Sequence, residues 1–398
     1  MIIAGAIFLL IPALAAILYL FVLAVAGRMR VGNLSQPAQF TTSRIAVIIP
    51  AHNESTGIRS AIQSCLNCDY PERLRQVIVI ADNCTDDTAW VAKDAGATCW
   101  ERNEPLQRGK GLALAWTFDR LASESFDAYL ILDADCGLDR HALRLVDASL
   151  QQGHQAIQLN HRVTNPDASP ISYAATVGRI LEYDLGYAPK SALGLSSLLV
   201  GTGMVLHRDL LERHPWTAAS CAEDTEYTIE LARHGIPIYF LANAYIDWSC
   251  IESPSQLAVQ RRRWAEGNLA LGRGQIAALA LGGLRRGNLL LMDLAWSLLL
   301  QSRPLLLAHA AITILYFSTL AYWSPTPAAQ NALITALLLT VLWMLYLAFG
   351  IASLGLTTHR TKLLLQSPLV IGNMTLVALR SLWSTPTSEW QRTPREKS

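Results

Sequence analysis

Residues 2 to 26, IIAGAIFLLIPALAAILYLFVLAVA, contain no charged side chain. As a helix, a run of that length exceeds the roughly 30 Å apolar core of a bilayer, so a membrane-spanning helix over 1–27 is expected. A cleaved leader fits less well, because no basic region precedes the run and no clear small-residue cleavage site follows it. Arg28 and Arg30 come next, and basic residues beside a span favour the cytoplasmic side. The composition agrees: 52% of residues are hydrophobic, 16% are charged, and the mean hydropathy is +0.26, more apolar than one soluble core needs. A net charge of +1 excludes the global basic field that nucleic-acid binding uses.

Seven cysteines stand at 65, 68, 84, 99, 136, 221 and 250. Their number is odd and their spacing does not repeat, so reduced thiols in a cytoplasmic compartment are expected. Cys65 and Cys68 form a CxxC without the second pair that a zinc site requires.

Residues 28–250 read as a cytosolic α/β domain. The β-rich runs IAVIIP (45–50), QVIVIA (76–81) and AYLILDA (128–134) alternate with helical stretches near 55–67, 85–95 and 110–122. That alternation predicts a mainly parallel sheet flanked by helices, with ligands beyond the carboxyl ends of the strands.

Apolar character returns in 304–323 and 332–356, each long enough to span. The uncharged connector SPTPAAQN is expected outside and the basic loop TTHRTK inside. Residues 285–303 carry Arg285, Arg286, Asp293 and Arg303, and residues 363–383 carry Gln366, Pro368, Asn373 and Arg380. Both are expected to lie at the cytoplasmic interface. Were the later one to cross, Arg392, Arg395 and Lys397 would lie outside, against the charge rule. The expected organisation is therefore one span (1–27), the cytosolic domain (28–250), interfacial helices (251–303), two spans (304–356), and an interfacial helix with a basic tail (357–398).

The strand ends hold the candidate site. The first ends in PAHNES, where Asn53 and Glu54 would face a ligand and Ser55 would cap the next helix. The second ends at Asp82; Asp86 and Asp87 have a structural role available at a helix N-terminus, whereas Asp82 does not. The third ends in Asp133-Ala134-Asp135, a carboxylate pair suited to half of a metal–diphosphate site. Lys110, between two glycines before a helix, lacks the GxxxxGK[ST] context of a P-loop, and either anion contact or a solvated helix start is open to it. Gly201-Thr202-Gly203 follows LSSLLV. Glu223-Asp224 opens a helix, where a carboxylate either complements the helix dipole or serves as a general base.

Residues 258–268, AVQRRRWAEGN, place three arginines and a tryptophan beside membrane segments. Membrane anchoring is one use of such a cluster. Taken with Asp82, Asp133-Ala134-Asp135 and Glu223-Asp224, however, Gln260-Arg261-Arg262-Arg263-Trp264 resembles the membrane-bound family 2 glycosyltransferases, the group of cellulose, hyaluronan, chitin and poly-N-acetylglucosamine synthases. Those enzymes carry an isolated Asp, a DxD, an ED and a Q-x-x-R-W in this order, and here 35 residues separate Asp224 from Gln260, as in that pattern.

The resemblance implies a Rossmann-like GT-A fold and Mg²⁺ or Mn²⁺ as cofactor. Asp82 would hold the nucleotide base, and Asp133 and Asp135 the diphosphate and its metal, with Pro50, His52, Glu54 and Lys110 on the donor side. Asp224 would be the catalytic base with Glu223 beside it. Gln260 and Arg263 would reach the donor, and Trp264 would stack on the acceptor near Gly201, Thr202 and Gly203. Arg261 and Arg262 retain the anchoring role. The implied reaction is inverting transfer from a nucleotide sugar, UDP-linked by expectation, to a glycan or lipid acceptor at the inner membrane. Exopolysaccharide or cell-surface glycan synthesis is expected first and a glycolipid product second, with export or accessory subunits as further partners. The closing EWQRTPRE (389–396) matches the basic tail of such proteins, while the few spanning segments and the lack of an appended regulatory domain set the chain apart from the large processive synthases. A non-catalytic scaffold is disfavoured because every proposed carboxylate is present. A transporter is disfavoured because His309 alone is clearly intramembrane.

Overall fold

The structure, a computed structural model, describes residues 2–30 and 40–381; the side chains of 28–30, 255, 261, 263–266, 268–273, 304 and 381 lie outside the description. Among the described residues eight strands form one sheet: β1 (Ile45–Ala51), β2 (Arg75–Asp82), β3 (Thr98–Arg102), β4 (Ala128–Ile131), β5 (Cys136–Leu138), β6 (Ala156–Val163), β7 (Met204–His207) and β8 (Tyr239–Trp248). Their spatial order is β3-β2-β1-β4-β7-β6-β8-β5.

β1 reads as a continuous apolar run because both of its faces are covered. Ile45, Val47 and Ile49 point into one core with Ile58, Ile62 and Val146. Ala46 and Ile48 point the other way, toward Leu114, Leu121 and Tyr227. This two-residue period places one helical layer on each side of the sheet.

The sheet is mixed rather than mainly parallel. β1, β2, β3 and β4 are mutually parallel, but β7 runs antiparallel to both β4 and β6, and β5 runs antiparallel to β8. Local hydrophobicity marks a strand without marking its direction, which the intervening connection sets. Ser55 does not cap the next helix either. That helix starts at Ile58 with Gly57 as its N-cap, and the Ser55 amide donates to Asp86.

A long helical stretch leads from the sheet to the membrane elements. It runs Pro170–Arg179, continues as a π-helix over Ile180–Tyr187 and ends with Ala188–Ala192. Its Tyr173, Val177, Leu181 and Leu185 pack with Ile17, Leu339, Trp343 and Tyr346 of the membrane helices, and the Tyr346 hydroxyl donates to the Leu181 carbonyl at 3.0 Å.

Four helices among the described residues are long and apolar enough to cross a membrane: Ile2–Gly27, Leu305–Trp323, Pro327–Leu354 and Thr358–Arg380. The chain is a multi-pass membrane protein. The fourth is the segment expected at the interface. It keeps contact with the sheet domain far along its length, through Arg360 to Asp167 at 2.7 Å and through Val370 and Met374 against Val163, Ile171, Cys250 and Leu257.

Residues 285–303, expected as one interfacial helix, are divided among three helices. The Q-x-x-R-W helix runs Pro254–Arg286 and stops at Gly287, whose φ is +60°. Asn288 then caps Leu289–Leu300 through its side chain, and Arg303 begins the membrane helix Arg303–Trp323. Glycine followed by a capping asparagine ends one helix and starts the next within two residues.

Candidate active site

A cavity of about 1530 Å³ opens beyond the carboxyl ends of β1, β2 and β4. Pro50, His52, Glu54 and Asp82 line one end of it. Lys110, Asp133, Asp135, Gly201 and Thr202 line its middle, and Glu223, Asp224 and Gln260 line the side toward the membrane helices. Twelve positions singled out in the sequence thus share one wall. Gly203 lies behind it. The side chains of Arg263 and Trp264, and of Arg261, are outside the described residues.

The first two strand ends turn sharply. Asn53 and Asn83 both adopt left-handed backbone, with φ +57° and +51°, which asparagine tolerates better than most residues. The Asn53 side-chain oxygen accepts the Thr85 amide at 2.7 Å, and a His52 ring nitrogen lies 2.7 Å from the Asp82 carbonyl. Asp82, expected to lack a structural role, has one: it accepts from Arg102 at 2.6 Å and from the Asn83 side chain at 2.9 Å. Arg102 lies on β3 in parallel register with Asp82, a pairing that nineteen intervening residues conceal in the sequence. Burial raises the Asp82 carboxyl, and the Arg102 contact opposes that shift.

Lys110 is not a solvated helix-start residue. Its ammonium donates to the Asp133 carboxylate and to the Gly201 carbonyl at 2.6 Å. The Asp133 amide donates to the Thr202 hydroxyl at 2.9 Å, and the Thr202 carbonyl lies 2.8 Å from the Gln158 side-chain nitrogen and 3.1 Å from a His161 ring nitrogen. Thr202 therefore positions the Asp133 backbone.

The two glycines beside Thr202 serve different ends. At Gly203 a Cβ would fall 2.2 Å from Ile246 Cδ1, so its absence permits close packing. At Gly201, with φ +82°, a Cβ would project into the site 3.4 Å from Asp224 Oδ2 and 3.7 Å from Lys110 Nζ. Gly201→Ala is expected to cost about 1–2 kcal/mol of stability from the left-handed backbone and to lower turnover by crowding Asp224. Wild-type turnover by a folded Gly201→Ala protein would show that this space is not used.

Asp133, Asp135 and Cys136 present ligand atoms within 4.8 Å of one another. Burial raises the Cys136 thiol, which donates to Asp135 at 3.6 Å, so the hard donors of the group are the two carboxylates. Two hard oxygen donors with open positions around them fit Mg²⁺ or Mn²⁺ shared with a diphosphate.

Glu223 and Asp224 begin the helix Glu223–Arg233, and the Asp224 carboxylate accepts the Thr225 amide at 2.6 Å. Burial raises both carboxyls. The Asp224 carboxylate also raises Glu223 electrostatically and Asp133 raises Asp224, while Lys110 opposes both shifts. A carboxylate raised in this way is a stronger base than a solvated one. The Q-x-x-R-W helix passes close by, since a Cβ at Gly267 would lie 3.3 Å from the Ala222 Cβ.

The cavity does not stop at the carboxylates. His161, Arg179, Glu182 and Arg303 carry the wall onward to Leu305, Leu307, Leu347 and Ile351 of the membrane helices. None of these residues carried a site signal in the sequence, because each is an ordinary residue within a helix or strand and only packing brings them to one wall.

The glycosyltransferase-like family 2 pattern matches residues 43–267, more than half of the chain. With an eight-stranded GT-A-like domain whose strand-end carboxylates face one cleft, the class is that of sugar-transferring enzymes, and the chain belongs to glycosyltransferase family 2. It is 26% identical over 235 residues to the probable glycosyltransferase YdaM of Bacillus subtilis, covering 56% of this chain and 55% of that one. It is 24% identical over 230 residues to a β-monoglucosyldiacylglycerol synthase of Synechocystis, covering 56% and 47%. The chain thus spans about half the length of these curated relatives. Among solved structures, the mannosyltransferase PcManGT of Pyrobaculum calidifontis, in complex with GDP-Man and Mn²⁺, aligns over 96% of this chain and 99% of that one, with a TM-score of 0.63 and 19% identity. The likeness extends the shared fold beyond the sheet domain.

Proposed function

We propose that this enzyme transfers a sugar from a nucleoside diphosphate sugar to a hydroxyl of a lipid acceptor, with inversion at the anomeric carbon. The observation that carries the reading is the single cavity joining Asp224 to the apolar wall of the membrane helices. A growing hydrophilic glycan gains nothing from leucine and isoleucine walls, whereas acyl chains are favoured there. The glycolipid product therefore moves ahead of the polymer expected from the Q-x-x-R-W motif. The name of the Synechocystis relative points the same way.

Asp133 and Asp135 would hold the divalent metal, which when bound supplies positive charge against the diphosphate leaving group. Lys110 holds Asp133 in place from the helix N-terminus, and Asp82 borders the nucleotide end. Asp224 accepts the proton of the acceptor hydroxyl as its oxygen bonds to the anomeric carbon. The bond from that carbon to the diphosphate breaks, and its electron pair leaves with the nucleoside diphosphate. Helical period places positions 260, 263, 264 and 267 on one face of the Q-x-x-R-W helix, consistent with donor contact by Gln260 and Arg263 and acceptor contact by Trp264. Arg28 and Arg30 favour a cytoplasmic catalytic domain.

The test is nucleotide release and product extraction by purified protein in lipid, supplied in turn with UDP-glucose, UDP-N-acetylglucosamine, UDP-galactose and GDP-mannose. A radiolabelled, organic-soluble product is expected, and a high-mass water-soluble product would restore the polymer reading. Chelation of divalent cations is expected to bring transfer to background, with recovery on adding Mn²⁺ or Mg²⁺. Full activity in chelator would remove the metal role of Asp133 and Asp135.

A further inference from the structure

Three charged side chains, Arg179, Glu182 and Arg303, line the cavity together with the carboxylates and the apolar wall. Arg179 ends the α-helical turn just before the π-helix Ile180–Tyr187. Its guanidinium packs over the rings of Tyr183 and Trp248, at 5.0 and 5.5 Å from their centroids, and lies 3.8 Å from Glu182. Arg303, at the start of a membrane helix, donates to the Gly178 carbonyl at 2.8 Å and also lies 3.8 Å from Glu182. All three side chains are largely shielded, with exposures of 19, 22 and 24% for Arg179, Glu182 and Arg303.

Two guanidiniums thus share one carboxylate, each 3.8 Å from it and so beyond hydrogen-bond length, while Glu182 accepts the Tyr187 hydroxyl at 2.9 Å and Arg179 donates to the Tyr183 hydroxyl. Arginine is expensive to hold away from water unless its charge is matched, so the collar carries one positive charge more than these side chains balance. Its height in the cavity is equally specific. Apolar side chains lie on the membrane side, at Leu305, Leu307, Leu347 and Ile351, and Asp224 lies on the other. A ligand spanning these levels presents acyl chains, then one negative charge, then a nucleophilic hydroxyl.

Resting on the glycosyltransferase reading above, we propose that Arg179 and Arg303 bind a phosphodiester, so that the acceptor is a glycerophospholipid whose headgroup hydroxyl reacts at Asp224. A planar guanidinium pair suits the two free oxygens of a phosphodiester, through charge-assisted hydrogen bonds. A neutral diacylglycerol satisfies the apolar level and leaves the collar unmatched. A free sugar phosphate satisfies the collar and leaves the apolar wall bare.

The experiment compares phosphatidylglycerol, diacylglycerol of the same acyl chains, and water-soluble glycerophosphate, using the full chain in detergent. Retention of each compound and transfer to each are both read. Wild-type protein is expected to favour phosphatidylglycerol over diacylglycerol by about ten- to hundredfold in both readings, the range for a buried charge-assisted hydrogen bond, and to ignore glycerophosphate. Arg179→Gln and Arg303→Gln are expected to bring that ratio close to one, and the Lys variants to keep part of it. A ratio guards against a variant that is merely less well folded. Equal use of the two lipids by wild-type protein overturns the proposal, as does a preference that neither variant changes. Retention decides it independently of turnover: selective phospholipid retention without nucleotide release would leave the collar standing and remove the transferase reading.

Discussion

Asp224→Asn is expected to lower transfer by about 10²–10⁴-fold, the range for losing a positioned general base, while donor binding measured by calorimetry persists. Asparagine keeps the size of the side chain and an oxygen to accept the Thr225 amide, which Asp224 holds at 2.6 Å, so the helix start should survive. What is lost is the group that takes the acceptor proton. Glu223→Gln should cost less, because it leaves in place the Asp224 carboxylate that takes the acceptor proton. An Asp224→Asn protein retaining more than about a tenth of wild-type turnover would fall outside that range and withdraw the base assignment.

Lys190→Met should destabilise the protein by about 3–5 kcal/mol, the usual cost of removing one partner of a buried ion pair. The Lys190 ammonium lies 2.9 Å from Asp293, and the two side chains are only 3% and 8% exposed. Lys190 belongs to the sheet domain and Asp293 to the helix Leu289–Leu300, while Tyr19 of the first membrane helix donates to the same carboxylate at 2.6 Å. One charge pair therefore ties the catalytic domain to two membrane-side elements. Chemical unfolding in detergent measures the loss. Adding Asp293→Leu and Tyr19→Phe to Lys190→Met should recover much of it, because replacing a whole buried polar group is far cheaper than orphaning part of one. No recovery in the triple variant would mean that packing, rather than the buried charge, sets the cost.

Much of the site was legible before any fold was known. Asp82, Asp133, Glu223 and Asp224 stand at the ends of apolar runs or the starts of polar ones, and strands in such sheets present their carboxyl ends to ligands. Periodicity also located β1, β2 and β4 to within a few residues. Legibility failed wherever a residue's partner is distant in the chain. Asp82 looked structurally idle because Arg102 reaches it only through the β2–β3 register. Lys110 remained ambiguous because Asp133 and the Gly201 carbonyl are 23 and 91 positions away.

The sequence by itself determined three of the four long apolar helices, the two-faced apolar strands and the order of carboxylates that marks the family. Each depends on a local pattern, either a run long enough to span, an alternation of period two, or a charge at an element's end. Tertiary structure alone decided the direction of β7, the Lys190–Asp293 tie and the meeting of Arg179 with Arg303. Gly178 and Arg303 are 125 positions apart, and nothing local to either marks the other. Which distant groups share a cavity follows from how helices pack on the sheet, a property of the folded chain that no local window contains.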